Sequence, residues 1–425
     1  MLIRKDDLDK NVKDAIIDIA KKYGTPFYIY SFDKIESKIA LLKDALCGCG
    51  NLYYSAKANP NIDILKIMQQ SGLGVEVSSI CELELAKAAG FLPDKIVFSG
   101  PGKDDATIER LVDERIRCIN VESFNEIRTI QEKSCLAGVV TNISIRLNPV
   151  NKMSNAGMKM TGVSSKFGVD LNDIQFVIGK AKDFDNVYVA GIQVYFGTQI
   201  LDADKVIFNV NYTMDLVEKI EEKFDLNFEH IDFGGGFGIP YFEGQSDLDI
   251  VSMKNAMHRI ANEKKSIFSN KYCIFESGRF LVGDSGFYVT SVLETKKSQD
   301  KFYIICDGGS NHHAESAFLG RIVSGNFPIS IIGEGDTIDF GALNNVNVCG
   351  PLCTPTDIIA RNIKLERCIE PGALVVIKQS GAYGLTNSPI LFNSHKLPKE
   401  FILYDNGCKL SHGLHELLKI LLGNA

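Results

Sequence analysis

Lys57, in the stretch Tyr53-Tyr54-Ser55-Ala56-Lys57-Ala58-Asn59, closes a short apolar run. About 175 residues later the consecutive glycines Gly234, Gly235 and Gly236 close another. A lysine amine can hold an aldehyde as a Schiff base, and backbone N–H groups freed of side chains can close on a phosphate. Together these are what pyridoxal phosphate requires of a protein. Each alone has a plainer reading, because lysine is usually a solvated surface residue and a glycine run is usually a tight turn. The other polar residues that end apolar runs decide between them: Glu76, Ser99, Glu122, Arg146, Thr198 and Glu276.

The runs themselves predict the scaffold. Eight β-branched or aromatic segments occur near residues 52–56, 74–78, 96–99, 118–121, 143–147, 187–195, 230–233 and 272–275. Stretches of helical periodicity, such as Ile62–Gln70 and Ile80–Ala89, separate them. Strands alternating with helices indicate a parallel sheet with crossovers, and eight of them indicate a (β/α)8 TIM-like barrel of the α/β class. Chemistry in such barrels collects at the C-terminal strand ends, where the polar residues above fall. After about Leu281 the rhythm changes to strands joined by turns, near residues 287–293, 301–306, 346–349, 374–379 and 401–404. The expected division is therefore a barrel over 35–280 and a β domain made of 1–34 with 281–425. Thr25 to Tyr30 is the candidate extra strand of that domain, and His412 to Leu422 a terminal helix.

Composition narrows the partners. The net charge is −7 with no dense basic stripe, which disfavours nucleic acid and anionic membranes. Met1 to Lys22 alternates charged and apolar residues at helical spacing instead of forming the apolar core of a signal peptide, and no stretch is long enough to span a bilayer. The 11 cysteines show no regular framework, which fits reduced thiols in a cytoplasmic protein. Cys47-Gly48-Cys49 lacks a matching ligand cluster, so no metal site is expected.

Taken together, these segments resemble the fold-type III pyridoxal phosphate decarboxylases, the group of diaminopimelate, ornithine and arginine decarboxylases, from Thr25 to about Leu403. Tyr54 to Asn59 resembles that family's lysine strand, and His230 to Gly238 its glycine loop. Glu276-Ser277-Gly278-Arg279 is similar to its Glu-Pro-Gly-Arg signature, with serine in place of proline. Cys349-Gly350-Pro351-Leu352-Cys353 resembles its cysteine segment, and Gly381-Ala382-Tyr383 its late tyrosine motif. The resemblance implies an alanine-racemase-like barrel with a C-terminal β domain and pyridoxal 5'-phosphate bound through Lys57.

It also implies roles. Glu276 would face the pyridine nitrogen and keep it protonated, so that the ring accepts electrons from the bond to the departing carboxylate; the plainer reading is an ion pair with Arg279. Gly235, Gly236, Gly278, Arg279 and Thr198 match phosphate-binding positions, and Tyr383 a further hydroxyl donor. Glu76 and Arg146 match positions around the cofactor and its lysine, although Arg146 equally suits an ion pair between barrel strands. Tyr195 stands where the family usually stacks a histidine on the ring. Cys353 matches the residue that serves a neighbouring subunit's site and protonates the carbanion, which implies a homodimer with shared sites; Cys349 reads as core.

Departures from the family concern the substrate. Thr354 follows Cys353 where diaminopimelate and ornithine enzymes carry an acid, and a hydroxyl cannot balance a distal ammonium. His312, His313 and Arg321 fall where other substrate contacts are carried; the histidines either bind a substrate carboxylate or hold a turn. Gly100 to Lys103, Met158 to Gly162, Gly197 to Gln199, Ser310 to Arg321, Pro351 to Asp357 and Ser380 to Ser388 resemble the specialised-metabolism branch. Its butirosin-pathway members decarboxylate a glutamyl group on an acyl carrier protein, and siderophore members act on citryl-amino acids. The alternatives are a diaminopimelate decarboxylase of lysine biosynthesis, a racemase, and a non-catalytic regulatory homologue. Glu276 argues against the racemase, and retention of Lys57 and Cys353 against the regulator.

Overall fold

The computed structural model describes residues 8–148, 165–319, 325–333, 343–365 and 369–423; Arg321 and Met158 to Gly162 lie outside the described residues. The chain divides into two compact units. One comprises Met1–Ser37, Pro240–Ser246 and Arg279–Leu414, and the other Lys38–Ile239, Asp247–Gly278 and His415–Ala425.

The second unit is a closed parallel barrel. Its strands are β1 (Asn51–Ser55), β2 (Gly74–Val77), β3 (Ile96–Ser99), β4 (Cys118–Val121), β5 (Thr141–Asn148), β6 (Val187–Val194), β7 (His230–Asp232) and β8 (Tyr272–Ser277). Each pairs with its successor, and β8 closes on β1 with Glu276 opposite Tyr53. Closure leaves no free edge, so runs such as Gly74–Val77 and Cys118–Val121 are buried on both faces. The intervening helices start on residues suited to accept a first-turn N–H. Asn61, Ser79, Asp104, Ser123, Asp202 and Asp249 each do so at a helix start.

The other unit contains a nine-stranded sheet. Phe27–Ser31 joins it, antiparallel to Gly286–Ser298 and parallel to Lys399–Tyr404. Val12, Ile16 and Ile19 of helix Lys10–Tyr23 pack on Phe27, Ile29, Phe287, Val289 and Phe401, which is the purpose of the amphipathic spacing near the N-terminus. Three strands of this unit, Ile329–Ile332, Ile358–Leu365 and Gly407–Ser411, add to those expected from the sequence. The tail forms the helix Gly413–Leu421. Among the described residues no helix is long and apolar enough to cross a membrane, and no group of three potential ligands could hold a metal ion.

Candidate active site

In the barrel unit, Lys57 lies in a single 3-10 turn, Ala56–Ala58, immediately after β1. Its Nζ donates to both oxygens of Glu76 at 2.8 Å. The pair forms because Ser55 and Glu76 are in register at the β1–β2 ends. The Glu76 side chain is 2% exposed, whereas Lys57 keeps 42% of its own in solvent. Burial pushes the Glu76 carboxyl up, but the charge and hydrogen bonds of Lys57, aided by Ser55 and Arg146, outweigh it and hold the group below its ordinary value. The amine is thus anchored and still accessible, as condensation with an aldehyde requires.

Arg146 on β5 donates from Nη1 to Glu122 Oε1 at 2.9 Å, and the other Glu122 oxygen accepts the Gly168 N–H at 2.8 Å. The interstrand ion pair foreseen for this arginine is therefore present. Its guanidinium also lies 4.8 Å from the Phe167 ring centre and 5.9 Å from that of Tyr195, the residue that follows β6.

The glycine loop follows β7 directly. Gly234 has φ +62° and Gly236 φ +101°, both in the left-handed region. A side chain on Gly235 would meet the Glu276 carbonyl, and one on Gly236 the Gly197 carbonyl. Ile200 N–H donates to Gly236 O at 2.8 Å, which ties the segment containing Thr198 to this loop. On the β8 side, a Cβ on Gly278 would approach Ala58 Cβ to 2.7 Å. Gly235, Gly236 and Gly278 are thus positions where neighbouring backbone or the lysine turn leaves no room for a side chain.

Glu276 near the end of β8 is 3% exposed and accepts from Gln193 Nε2 at 2.7 Å. Asp232 on β7 is fully buried and accepts the Gly234 N–H at 2.9 Å. Burial, followed by the repulsion of Asp232 and Glu76, pushes Glu276 well above the carboxylate range. Gln193 also approaches Ser99 Oγ and Asp232 Oδ2 at 3.3 Å, and Asn120 Nδ2 donates to Ser99 Oγ at 2.9 Å. Gln193, Asp232 and Asn120 were not singled out from the sequence; the available signal was a polar residue inside an otherwise apolar strand.

In the β unit, Arg279 donates from Nη1 to Tyr241 OH at 2.8 Å and lies 4.6 Å from the Tyr383 ring centre. Glu315 is 3.9 Å away, and the buried Nε of Arg279 has no hydrogen-bond partner among the described residues. Burial pushes the Tyr241 phenol up to about 12, so it stays a neutral donor and acceptor beside the cation. Tyr383 itself is held at φ +54°, a conformation uncommon for a tyrosine.

Cys353 is exposed on a loop fastened by Asp357, whose carboxylate accepts the N–H groups of Ser310 at 2.7 Å and Leu352 at 2.9 Å. Thr354 pairs its hydroxyl with that of Thr356 at 3.0 Å. His312 and His313 are fully enclosed, and of the two possibilities for them the structure supports the turn. His312 contacts Tyr288 OH and Asn311, while His313 meets Ser380 Oγ at 2.9 Å and accepts the Ser316 N–H at 3.1 Å. Burial lowers His312 to about 4, leaving it neutral and unsuited to a substrate carboxylate. The ring nitrogens of both histidines are used inside the unit.

The barrel residues fit pyridoxal phosphate: an accessible amine, a cradle closed to side chains and a buried carboxyl at neighbouring strand ends. Bound there, the cofactor supplies an electron sink for the bond to the departing carboxylate. Such a lysine-bearing (β/α)8 barrel with an attached β unit defines a pyridoxal phosphate enzyme. Residues 32–283 match the family described as "Pyridoxal-dependent decarboxylase, pyridoxal binding domain". The chain is 38% identical over 393 residues to the L-glutamyl-[BtrI acyl-carrier protein] decarboxylase of Niallia circulans, covering 92% of this chain and 91% of that protein. It is 30% identical to a diaminopimelate decarboxylase of Helicobacter pylori strain J99, over 92% and 93% of the two chains. The crystal structure of diaminopimelate decarboxylase from M. jannaschii in co-complex with L-lysine superposes with a TM-score of 0.83 at 26% identity, covering 93% of this chain and 91% of that one. The chain belongs to the pyridoxal-dependent decarboxylases and is a carboxy-lyase acting on amino acids.

Proposed function

We propose that this enzyme decarboxylates the amino-acid end of a larger conjugate in a specialised pathway, with a glutamyl thioester on an acyl carrier protein as the first candidate. The observation that carries the reading is the loop around Cys353. Thr354 offers a hydroxyl already shared with Thr356, and the carboxylate of Asp357 is occupied by two backbone N–H groups. A distal ammonium brought to this loop would lack an available counter-charge, at a cost of several kcal/mol if buried. The 38% identity to a carrier-protein glutamyl decarboxylase supports the same choice. Lys57 anchors the cofactor, Glu276 faces its ring nitrogen, and Gly235, Gly236, Gly278, Thr198, Arg279 and Tyr383 serve its phosphate. The protein works in the cytoplasm.

The test is carbon dioxide release from a panel of substrates. Turnover of free meso-diaminopimelate, ornithine and lysine should be weak, and that of a carrier-bound glutamyl thioester much faster. Binding energy from the remote part orients the scissile bond, so truncating the conjugate should lower kcat as well as affinity. Efficient decarboxylation of free diaminopimelate would return the chain to lysine biosynthesis.

The proposed assembly is a homodimer in which Cys353 protonates the carbanion in the partner's barrel. Its exposure on the single chain is what such reach requires. Mixing Lys57→Ala subunits with Cys353→Ala subunits should then restore formation of the correctly protonated amine product to roughly a quarter of wild type, since random exchange leaves one intact composite site in each mixed dimer. Absence of recovery despite demonstrated exchange would place both residues in one chain's site.

A further inference from the structure

Asp232 has no part in the roles assigned above, yet it touches two of their elements. Its Oδ1 accepts the N–H of Gly234 at 2.9 Å, and its Oδ2 faces the same Gln193 amide nitrogen that donates to Glu276, at 3.3 Å against 2.7 Å. Two buried carboxyls that share one neutral amide donor cannot both stay charged without a large desolvation cost, which a proton on the pair removes. Their surroundings make the sharing necessary. Gln193 from β6 donates a neutral amide at 2.7 Å to Glu276 and 3.3 Å to Asp232, and Glu76 on β2 adds a further negative charge. Lys57, the cation facing the pair, is engaged by Glu76. Tyr53 on β1 and Cys118 on β4 face Asp232 but are kept neutral by burial.

We infer that Asp232 is a positioning residue that shares one proton with Glu276, fixing the orientation and single negative charge of the carboxyl pair and tying it to the glycine loop. The inference rests on the proposed placement of the cofactor ring at Glu276, but the shared proton is a property of the protein alone. With one proton on the pair, either oxygen set can accept a ring N–H while the other stays satisfied, and no second buried charge has to be accommodated. Burial raises Asp232 to about 6 and raises Glu276 well above its ordinary value, so both carboxyls bind protons more tightly folded than unfolded. Stability from the pair is therefore fully present below the ordinary carboxylate range and is lost as pH rises through about 6 and beyond.

Asp232→Asn separates this from a merely structural role. The amide can accept from Gly234 and donate to Glu276, imitating the protonated acid without titrating. In the full-length protein freed of cofactor, the fall in stability attributable to the pair between about pH 4 and 7 should be reduced by roughly half or more relative to wild type. Asp232→Ala, which leaves Gly234 N–H unsatisfied, should weaken pyridoxal phosphate binding by about tenfold or more, and Asp232→Asn should recover most of that loss. If the asparagine variant does not fold, Glu276→Gln must flatten the pH profile equally, since either change removes one member of the pair. An unchanged profile in the variants that fold would overturn the inference. A flattened profile with no change in cofactor affinity would retain the shared proton and reject the placement of the ring.

Discussion

Lys57→Ala and Lys57→Arg should both abolish covalent attachment of pyridoxal phosphate, so that borohydride no longer fixes the cofactor to the chain. They should lower decarboxylation about a thousandfold or more, equivalent to roughly 4 kcal/mol in the barrier. The two variants divide the causes. Alanine removes the amine and also the cation that holds the buried Glu76 carboxylate, so it should cost some stability, and the Glu76 carboxyl should bind protons more readily. Because Lys57 is 42% exposed, solvent already screens the pair and that cost should be modest. Arginine keeps the charge beside Glu76 but cannot condense with an aldehyde. A wild-type melting temperature in Lys57→Arg together with lost attachment would locate the defect in chemistry. Persistent borohydride labelling of the same peptide in Lys57→Ala would refute the assignment.

The barrel was legible in the sequence because burial on both faces writes each strand as a continuous β-branched or aromatic run. Ile96–Ser99, Cys118–Val121 and Val187–Val194 are such runs. The β unit was legible only in part. Gly407–Ser411 is mostly exposed and, among the described residues, pairs only with Lys399–Tyr404, so it carries little buried face to read. Ile358–Leu365 interrupts its apolar residues with exposed Arg361 and Asn362, which hides the alternation. Ile329–Ile332 is short and follows a proline, a combination that ordinarily argues against a strand.

For the site, residues at strand ends could be found from the alternation alone, because the barrel architecture says where chemistry collects. The inward polar groups could not. Gln193 and Asp232 face each other only because β6 and β7 pair with those residues in register, and Glu276 joins them only when β8 lies beside β7. Nothing local distinguishes Asp232 from an acid ending a solvent-facing strand. His312 and His313 show the converse: two adjacent histidines look like a binding pair until the ring of Tyr28 stacks 6.1 Å from His313 and the Tyr288 hydroxyl reaches His312.

Glu276→Gln should produce the other large loss, on the order of 3–5 kcal/mol in the chemical step, or about 10²–10³-fold or more. The argument is electrostatic. Electron withdrawal by the cofactor depends on a protonated ring nitrogen, and a carboxylate facing that nitrogen favours the proton far more than an amide does. Burial strengthens the interaction, since at 3% exposure little water competes for it. Gln193 already donates to Glu276 Oε1 at 2.7 Å, so a glutamine here would either turn its own NH2 toward that donor or present it to the ring nitrogen. Cys353→Ala should behave differently. Carbon dioxide would still leave, but the carbanion would be protonated at the wrong carbon, giving pyridoxamine phosphate and a carbonyl product. Measuring carbon dioxide and pyridoxamine phosphate together separates the two roles: Glu276→Gln should depress both, and Cys353→Ala should raise the second relative to the first. Equal loss of carbon dioxide with no pyridoxamine phosphate from the cysteine variant would mean that Cys353 does not deliver the proton.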